Sequence, residues 1–201
     1  MADAVYLAQE LPVASLKHNS VGWWGMLCLI ATESSLFVYL LFSYAFFAVR
    51  FGPGWLPVAH PSLKLALPDT IILLSSSAVI WWAEKGAKTG RRRQHLIGVA
   101  ATMAMGLVFL IVQALEWKSK TYSITSSSYG SLYFTITGLH MAHVIVGMVI
   151  LGVVFAWSAA GKFTPRRHTP VLISSTYWHF VDAVWVVVFT TLYLTPYLVN
   201  P

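Results

Sequence analysis

Tyr177-Trp178-His179-Phe180-Val181-Asp182-Ala183-Val184-Trp185 sets an imidazole and a carboxylate inside an apolar run, Val171 to Leu194. A helix over that run is long enough to cross a membrane. His179 and Asp182, three residues apart, share one helix face, with Ser175 one turn earlier. An ionisable group at bilayer depth costs roughly 2.5–3.5 kcal/mol on insertion scales unless it is paired and turned away from lipid. The stretch therefore predicts a membrane helix whose polar face meets a partner, inside a bundle or on another subunit.

The rest of the chain extends the same pattern. Of its 201 residues, 57% are hydrophobic and 10% charged, whereas a soluble domain carries about a quarter charged residues. The apolar excess lies in long runs, which predicts an all-α polytopic membrane protein built as one unit. Residues 1–20 read as a polar N-terminal tail and 21–201 as a single transmembrane domain of five helices, at about 21–49, 69–83, 95–117, 129–157 and 171–195. The breaks between them are loop chemistry. Phe51-Gly52-Pro53-Gly54-Trp55-Leu56-Pro57 runs on to Pro68, after which Asp69 reads as a first-turn acid. A Glu84 to Arg93 stretch, a Ser/Thr-rich stretch from Ser119 to Ser128, and Gly161 to Pro170 supply the others. A single Cys28 excludes an internal disulfide and a Cys-rich metal site. With no basic segment leading into a cleavable apolar core, no signal or transit peptide is expected.

The net charge of +6 does not point to nucleic acid, because the basic residues flank hydrophobic runs. Nine of them, Lys17, Lys85, Lys88, Arg91, Arg92, Arg93, Lys162, Arg166 and Arg167, fall on one side of the predicted topology; four, Arg50, Lys64, Lys118 and Lys120, fall on the other. The positive-inside rule then sets the N-terminus in the cytoplasm and the C-terminus outside. Trp23-Trp24 and Trp81-Trp82 mark the inner interface, and Trp55, Trp117 and Tyr197 the outer one. Lys85, Lys88, Arg91, Arg92, Arg93, Arg166 and Arg167 are also candidates for anionic lipid head groups.

Several polar residues are predicted to lie within the bilayer. Glu33 is roughly 18 Å up the first helix, His140 roughly 15 Å down the fourth and Asp182 roughly 15 Å up the fifth. His143 follows His140 by one turn and shares its face with Gly147, while Gly138 and Ala142 form a small-xxx-small pair suited to close helix contact. Gln113 and Glu116 are likewise three apart, at the outer end of the third helix. Three readings compete for this set. One is a metal or haem site, but a di-iron bundle needs Glu-x-x-His on two helices, and His140-x-x-His143 and His179-x-x-Asp182 stand here instead; no metal is expected. A second is a proton or ion path through Glu33, His143 and Asp182, as in a small proton-coupled carrier. The third, ranked first, is a satisfied hydrogen-bond network formed by Glu33, Gln113, Glu116, His140, His143, His179 and Asp182, which holds helices to one another or to a partner.

Five motifs in order resemble subunit III of the haem-copper oxidases, the cytochrome c oxidase subunit 3 family in its short five-helix bacterial form. They are Thr32-Glu33-Ser34; Leu67-Pro68-Asp69-Thr70 with Leu73-Leu74-Ser75-Ser76; Gln113-Ala114-Leu115-Glu116-Trp117; Tyr129-Gly130-Ser131 running to Gly138-Leu139-His140-Met141-Ala142-His143-Val144; and the opening stretch, Tyr177 to Trp185. The last two are the most specific. Two departures accompany the likeness. The family's usual Gly between the histidines is Met141 here, and two N-terminal helices of the seven-helix mitochondrial form have no counterpart in these five spans.

The resemblance implies a non-redox accessory subunit with no catalytic residue and no cofactor of its own, in a complex that reduces O2 to water and pumps protons in aerobic respiration. Haem and copper would reside in partner subunits I and II. The chain would pack directly on subunit I, together with subunit II and small subunits, bind phospholipid, and support stability and proton uptake. Cytochrome c, or quinol in the alternative member of the superfamily, would be the complex's substrate, and the bacterial inner membrane its location. Glu33 is expected to be structural or lipid-adjacent, outside the pumped-proton path.

Overall fold

Five helices long and apolar enough to cross a membrane make up most of the chain's computed structural model, which describes residues 21–55, 63–163 and 168–199. They are α1 (Val21–Phe51), α2 (Leu63–Lys88), α3 (Arg92–Ser119), α4 (Ser128–Ala159) and α5 (Thr169–Phe189). A 3₁₀ turn at Pro53–Trp55 follows α1, and α5 runs on through a π turn, Thr190–Leu194, into a short α6, Thr195–Val199. The described residues contain no strand. That is the expected solution in lipid, where a helix satisfies its own backbone. The predicted tail at residues 1–20 lies outside the described residues.

Helices α2, α3, α4 and α5 form a four-helix ring in which each touches the next, and α1 lies outside it along α4 and α5. The ring's axis is Trp178. Its indole is fully buried and passes between α3 and α4 at positions where neither has a side chain. A Cβ on Gly106 would come within 2.8 Å of the ring, and one on Gly147 within 3.0 Å. The small pair expected to make a close helix contact, Gly138 and Ala142, is placed otherwise: a Cβ on Gly138 would meet the indole of Trp117 at 3.1 Å, and Ala142 is exposed.

Two boundaries differ from the sequence reading. Helix α2 starts at Leu63 and carries Pro68 inside it, whereas the sequence predicts a start just after that proline. Pro68 removes one backbone donor near the helix end. The turn before it is held by burial of Ala66, whose carbonyl accepts from Thr70 Oγ1 at 2.7 Å. Asp69 is accordingly a buried second-turn carboxyl, not a first-turn acid. At the other end, the helix continues past Pro196 by switching to π register. Pro196 offers no N–H, and Thr195 Oγ1 donates to the carbonyl of Thr191 in the freed turn.

The basic turn between α2 and α3 is three residues long and closes as a Schellman motif. Arg91 N donates to Gly86 O at 2.8 Å and Gly90 N to Ala87 O at 3.3 Å, with Gly90 at φ +74°. The end of α4 repeats the motif at Gly161, φ +72°.

Candidate functional site

The polar side chains inside the helices fall into a seam and three satellites. The seam joins antiparallel α2 and α5. Trp178 Nε1 donates to Ser76 Oγ at 2.8 Å, and Trp185 Nε1 to Thr70 Oγ1 at 3.0 Å. Seven residues apart on α5, these indoles match hydroxyls six apart on α2, running the opposite way. Between them Ser77 Oγ donates to Asp182 Oδ2 and lies 3.0 Å from His179 Nδ1. Because the serine proton goes to the carboxyl, Nδ1 is the donor towards Ser77. His179 Nε2 is 3.4 Å from Ser175 Oγ. Asp182 Oδ1 is buried without a hydrogen-bond partner among the described residues.

The first satellite ties α1 to α4. His143 Nδ1 donates to the carbonyl of Leu139 at 2.7 Å, which turns Nε2 towards Glu33 Oε2 at 3.1 Å. With Nδ1 already a donor, Nε2 and the carboxyl share a single proton. The Glu33 side chain is 32% exposed and that of His143 12%, so the pair sits at the bundle's edge. The ring of Phe37 stands edge-on to His143 at 5.1 Å.

The second satellite is His140, fully buried one turn away. Its Nε2 donates to the carbonyl of Val181 at 3.2 Å, which fixes the tautomer and leaves Nδ1 without a partner among the described residues. Trp185 lies 4.7 Å from the ring and Phe109 5.7 Å. This imidazole is packed as an aromatic wedge joining α3, α4 and α5.

The third is at the far end of α3. Glu116 Oε1 receives Lys120 Nζ at 2.7 Å, Tyr193 OH at 3.0 Å and Tyr133 OH at 3.3 Å. The two phenols are 2.9 Å apart, and Gln113 Nε2 donates to Tyr193 OH at 3.5 Å. Lys120 also lies over both tyrosine rings, at 5.1 and 5.7 Å from their centroids. Tyr193 is in the π turn. Nearby, Trp117 Nε1 donates to Thr137 Oγ1 at 3.2 Å. Tyr122, in the loop between α3 and α4, packs on Tyr129 and Tyr133, and burial pushes its phenol up to about 12.

All seven expected polar residues thus lie at contacts between or along helices, but they do not form one network. Glu33 and His143 are one pair, His179 and Asp182 another, Gln113 and Glu116 a third cluster, and His140 stands apart. Missing from the sequence reading were Ser77, Thr70, Tyr133, Tyr193 and Lys120, together with the donor roles of Trp178 and Trp185. The matched Trp and hydroxyl spacings were the available signal. Among the described residues no three His, Cys, Asp or Glu side chains are grouped so that they could hold a metal ion.

The basic turn divides. Lys88 pairs with Glu84 at 2.5 Å. Arg92 caps α4, donating from Nε to Ser158 O at 3.0 Å and from Nη2 to Ala159 O at 2.5 Å. Lys85 reaches the face of Trp81 at 5.8 Å, and Arg91 and Arg93 are exposed. Arg166 and Arg167 lie outside the described residues.

A family model described as cytochrome c oxidase subunit III matches residues 17–197. Curated relatives are similar along most of their length. Cytochrome c oxidase subunit 3 of Branchiostoma lanceolatum is 35% identical over 178 residues, which is 84% of this chain and 67% of the relative. The protein of the same name from Dugong dugon is 33% identical over 179 residues, 85% of this chain and 68% of the relative. That from Marchantia polymorpha is 34% identical over 179 residues, 85% and 67%.

Proposed function

The chain belongs to the cytochrome c oxidase subunit III family, a multi-pass membrane protein of an oxidase complex, and from that premise we propose that it is the complex's non-redox accessory subunit. It packs on subunit I, holds phospholipid, and supports the stability of the complex and its proton uptake. The haems and copper belong to subunits I and II. The relatives named above are cytochrome c oxidase subunits, which favours cytochrome c over quinol as electron donor. The uneven distribution of Lys and Arg supports a cytoplasmic N-terminus, and we place the protein in a bacterial inner membrane.

The supporting observation is the uncovered flank of α1. Only 6% of its most apolar window is buried, against 50% for the last helix. Val38, Tyr39, Phe42 and Val49 all face outwards. Such a surface suits lipid tails and another membrane subunit, with packing as the driving force between helices. Beside it lies an apolar groove of about 320 Å³, lined by Gly22, Val149, Val153, Trp157, Pro170 and Ile173 among others, whose lining suits an acyl chain. For a lipid head group the structure favours Lys85, Arg91 and Arg93 over Lys88 and Arg92, which are occupied within the protein.

The test is purification through a tag on this chain in mild detergent. Haem-bearing subunits and stoichiometric phospholipid are expected to co-elute. Elution without a haem-bearing partner contradicts the proposal. If the isolated chain in vesicles then takes up protons down a pH gradient, a proton-coupled carrier replaces it.

A further inference from the structure

Ser77, His179 and Asp182 are arranged as a relay, and nothing in an accessory or lipid-holding role requires one. A structural tie between α2 and α5 is already made twice, by Trp178 on Ser76 and Trp185 on Thr70. Between these ties lies a run of groups that each give and take protons. His179 Nδ1 is 3.0 Å from Ser77 Oγ, and that hydroxyl donates to Asp182 Oδ2. Asp182 is 3% exposed, and its other oxygen has no partner among the described residues. His179 and Ser77 are only partly buried. Among the described residues the carboxyl is therefore sealed on its own side, with Ser77 as its hydrogen-bond neighbour.

We propose that one exchangeable proton passes between the bundle's surface and Asp182 through His179 and Ser77. A proton taken up at His179 Nε2 makes the ring an imidazolium. Nδ1 then gives its proton to Ser77 Oγ as the serine gives its own to Asp182 Oδ2. The ring is left neutral with its proton on Nε2, the serine is restored, and the carboxylate becomes the acid. No electron moves and no bond other than those to hydrogen changes. Along α2, Glu84 stands seven residues beyond Ser77, paired with Lys88 at 2.5 Å near the basic turn. On α5, Ser175 meets the ring's other nitrogen. The faces of α3 and α4 nearest this part of α5 present Gly106 and Gly147 to Trp178.

The test is infrared spectroscopy of the assembled, purified protein after a pH jump. The Asp182 signal is identified as the carboxyl or carboxylate band that Asp182→Asn removes. In the natural protein this band interconverts promptly. Ser77→Ala, which keeps both end groups and removes the link, is expected to slow interconversion by roughly tenfold or more, since the proton must then wait for local opening. His179→Gln slows it likewise. Ser77→Thr keeps the hydroxyl and restores the rate, and Ser75→Ala, on the exposed neighbour, leaves it unchanged. Interconversion at the natural rate in Ser77→Ala overturns the proposal, and so does an Asp182 band that never changes with pH. The measurement needs only the folded subunit, so it is independent of which partners co-purify.

Discussion

Helix α1, with a mean hydropathy of 1.8, falls within the 1.4–2.3 range of α2 to α5, yet it is held in a different way. Within the ring, contacts are largely buried and redundant: Trp178 fits against two glycines and a serine, Trp185 against a threonine and His140, and Glu116 against Lys120 and two phenols. On α1 only Phe37 and Tyr44 are buried. Its polar anchors include the Glu33–His143 pair and, just beyond its end, Trp55 Nε1 on Ser128 Oγ at 2.8 Å. In lipid, where burying an apolar side chain against another helix gains little over leaving it among tails, shape fit and hydrogen bonds decide which helices adhere. The ring is thus the rigid body, and α1 is its outward-looking flank.

The largest effect is expected in the ring. Trp178→Ala empties the slot between Gly106 and Gly147 and leaves Ser76 without its donor, at a cost of about 3–5 kcal/mol. The expected outcome is little or no folded subunit in the membrane, read by detergent-resistant yield and thermal unfolding. The matching change on α1, Trp24→Ala, alters a residue 57% exposed and is expected to stay within about 0.5 kcal/mol. Comparable losses for the two would erase the distinction between ring and flank.

Next comes Glu116→Gln. It keeps the shape but leaves Lys120 charged, with a side chain 9% exposed, between two aromatic faces. Breaking such a pair costs about 3 kcal/mol, expected as a lower unfolding temperature. Changing Lys120 to Met at the same time should recover part of it, because no charge is then left unpaired. Failure of the double variant to improve on the single one would show that the ion pair itself does not anchor this end.

A smaller effect is expected on the flank. Glu33→Ala leaves His143 without its partner, at about 1–3 kcal/mol. Its consequence is confined to the contact of α1 with α4, so the subunit assembles but is more readily lost, and active lifetime shortens more than initial rate falls. Limited proteolysis at the loop after α1, faster than in the natural protein, is the direct check.

Much of this contrast was legible beforehand. The five apolar runs follow from composition and length, and the need of Glu33, His140 and Asp182 for partners from their place inside those runs. What could not be read was pairing. Each buried acid or imidazole announced a need for a partner without naming it, because Ser77 lies 105 positions from Asp182 and Tyr193 77 from Glu116, while Tyr133, 17 from Glu116, is an ordinary residue of a neighbouring helix. Helix α2 ran past Pro68 since one missing bond near a helix end is cheaper than unwinding a turn that buries Ala66. Gly138 was misassigned because spacing alone does not tell a site for a backbone from a site for an indole. Family resemblance supplied the oxidase setting, which none of these contacts carries by itself.

The central claim, that the Glu33–His143 pair serves structure and the complex's partners carry the pumped protons, is tested most directly at Glu33. Glu33→Gln keeps the length, the shape and a hydrogen-bond donor towards His143. The measurement is initial oxygen consumption and protons released per electron by the assembled complex carrying this variant, from the first turnover. Normal assembly and values close to those of the natural complex are expected, with any deficit developing only over sustained turnover. A variant that assembles normally yet loses most of its proton release at the first turnover would contradict it and put Glu33 and His143 in the proton path.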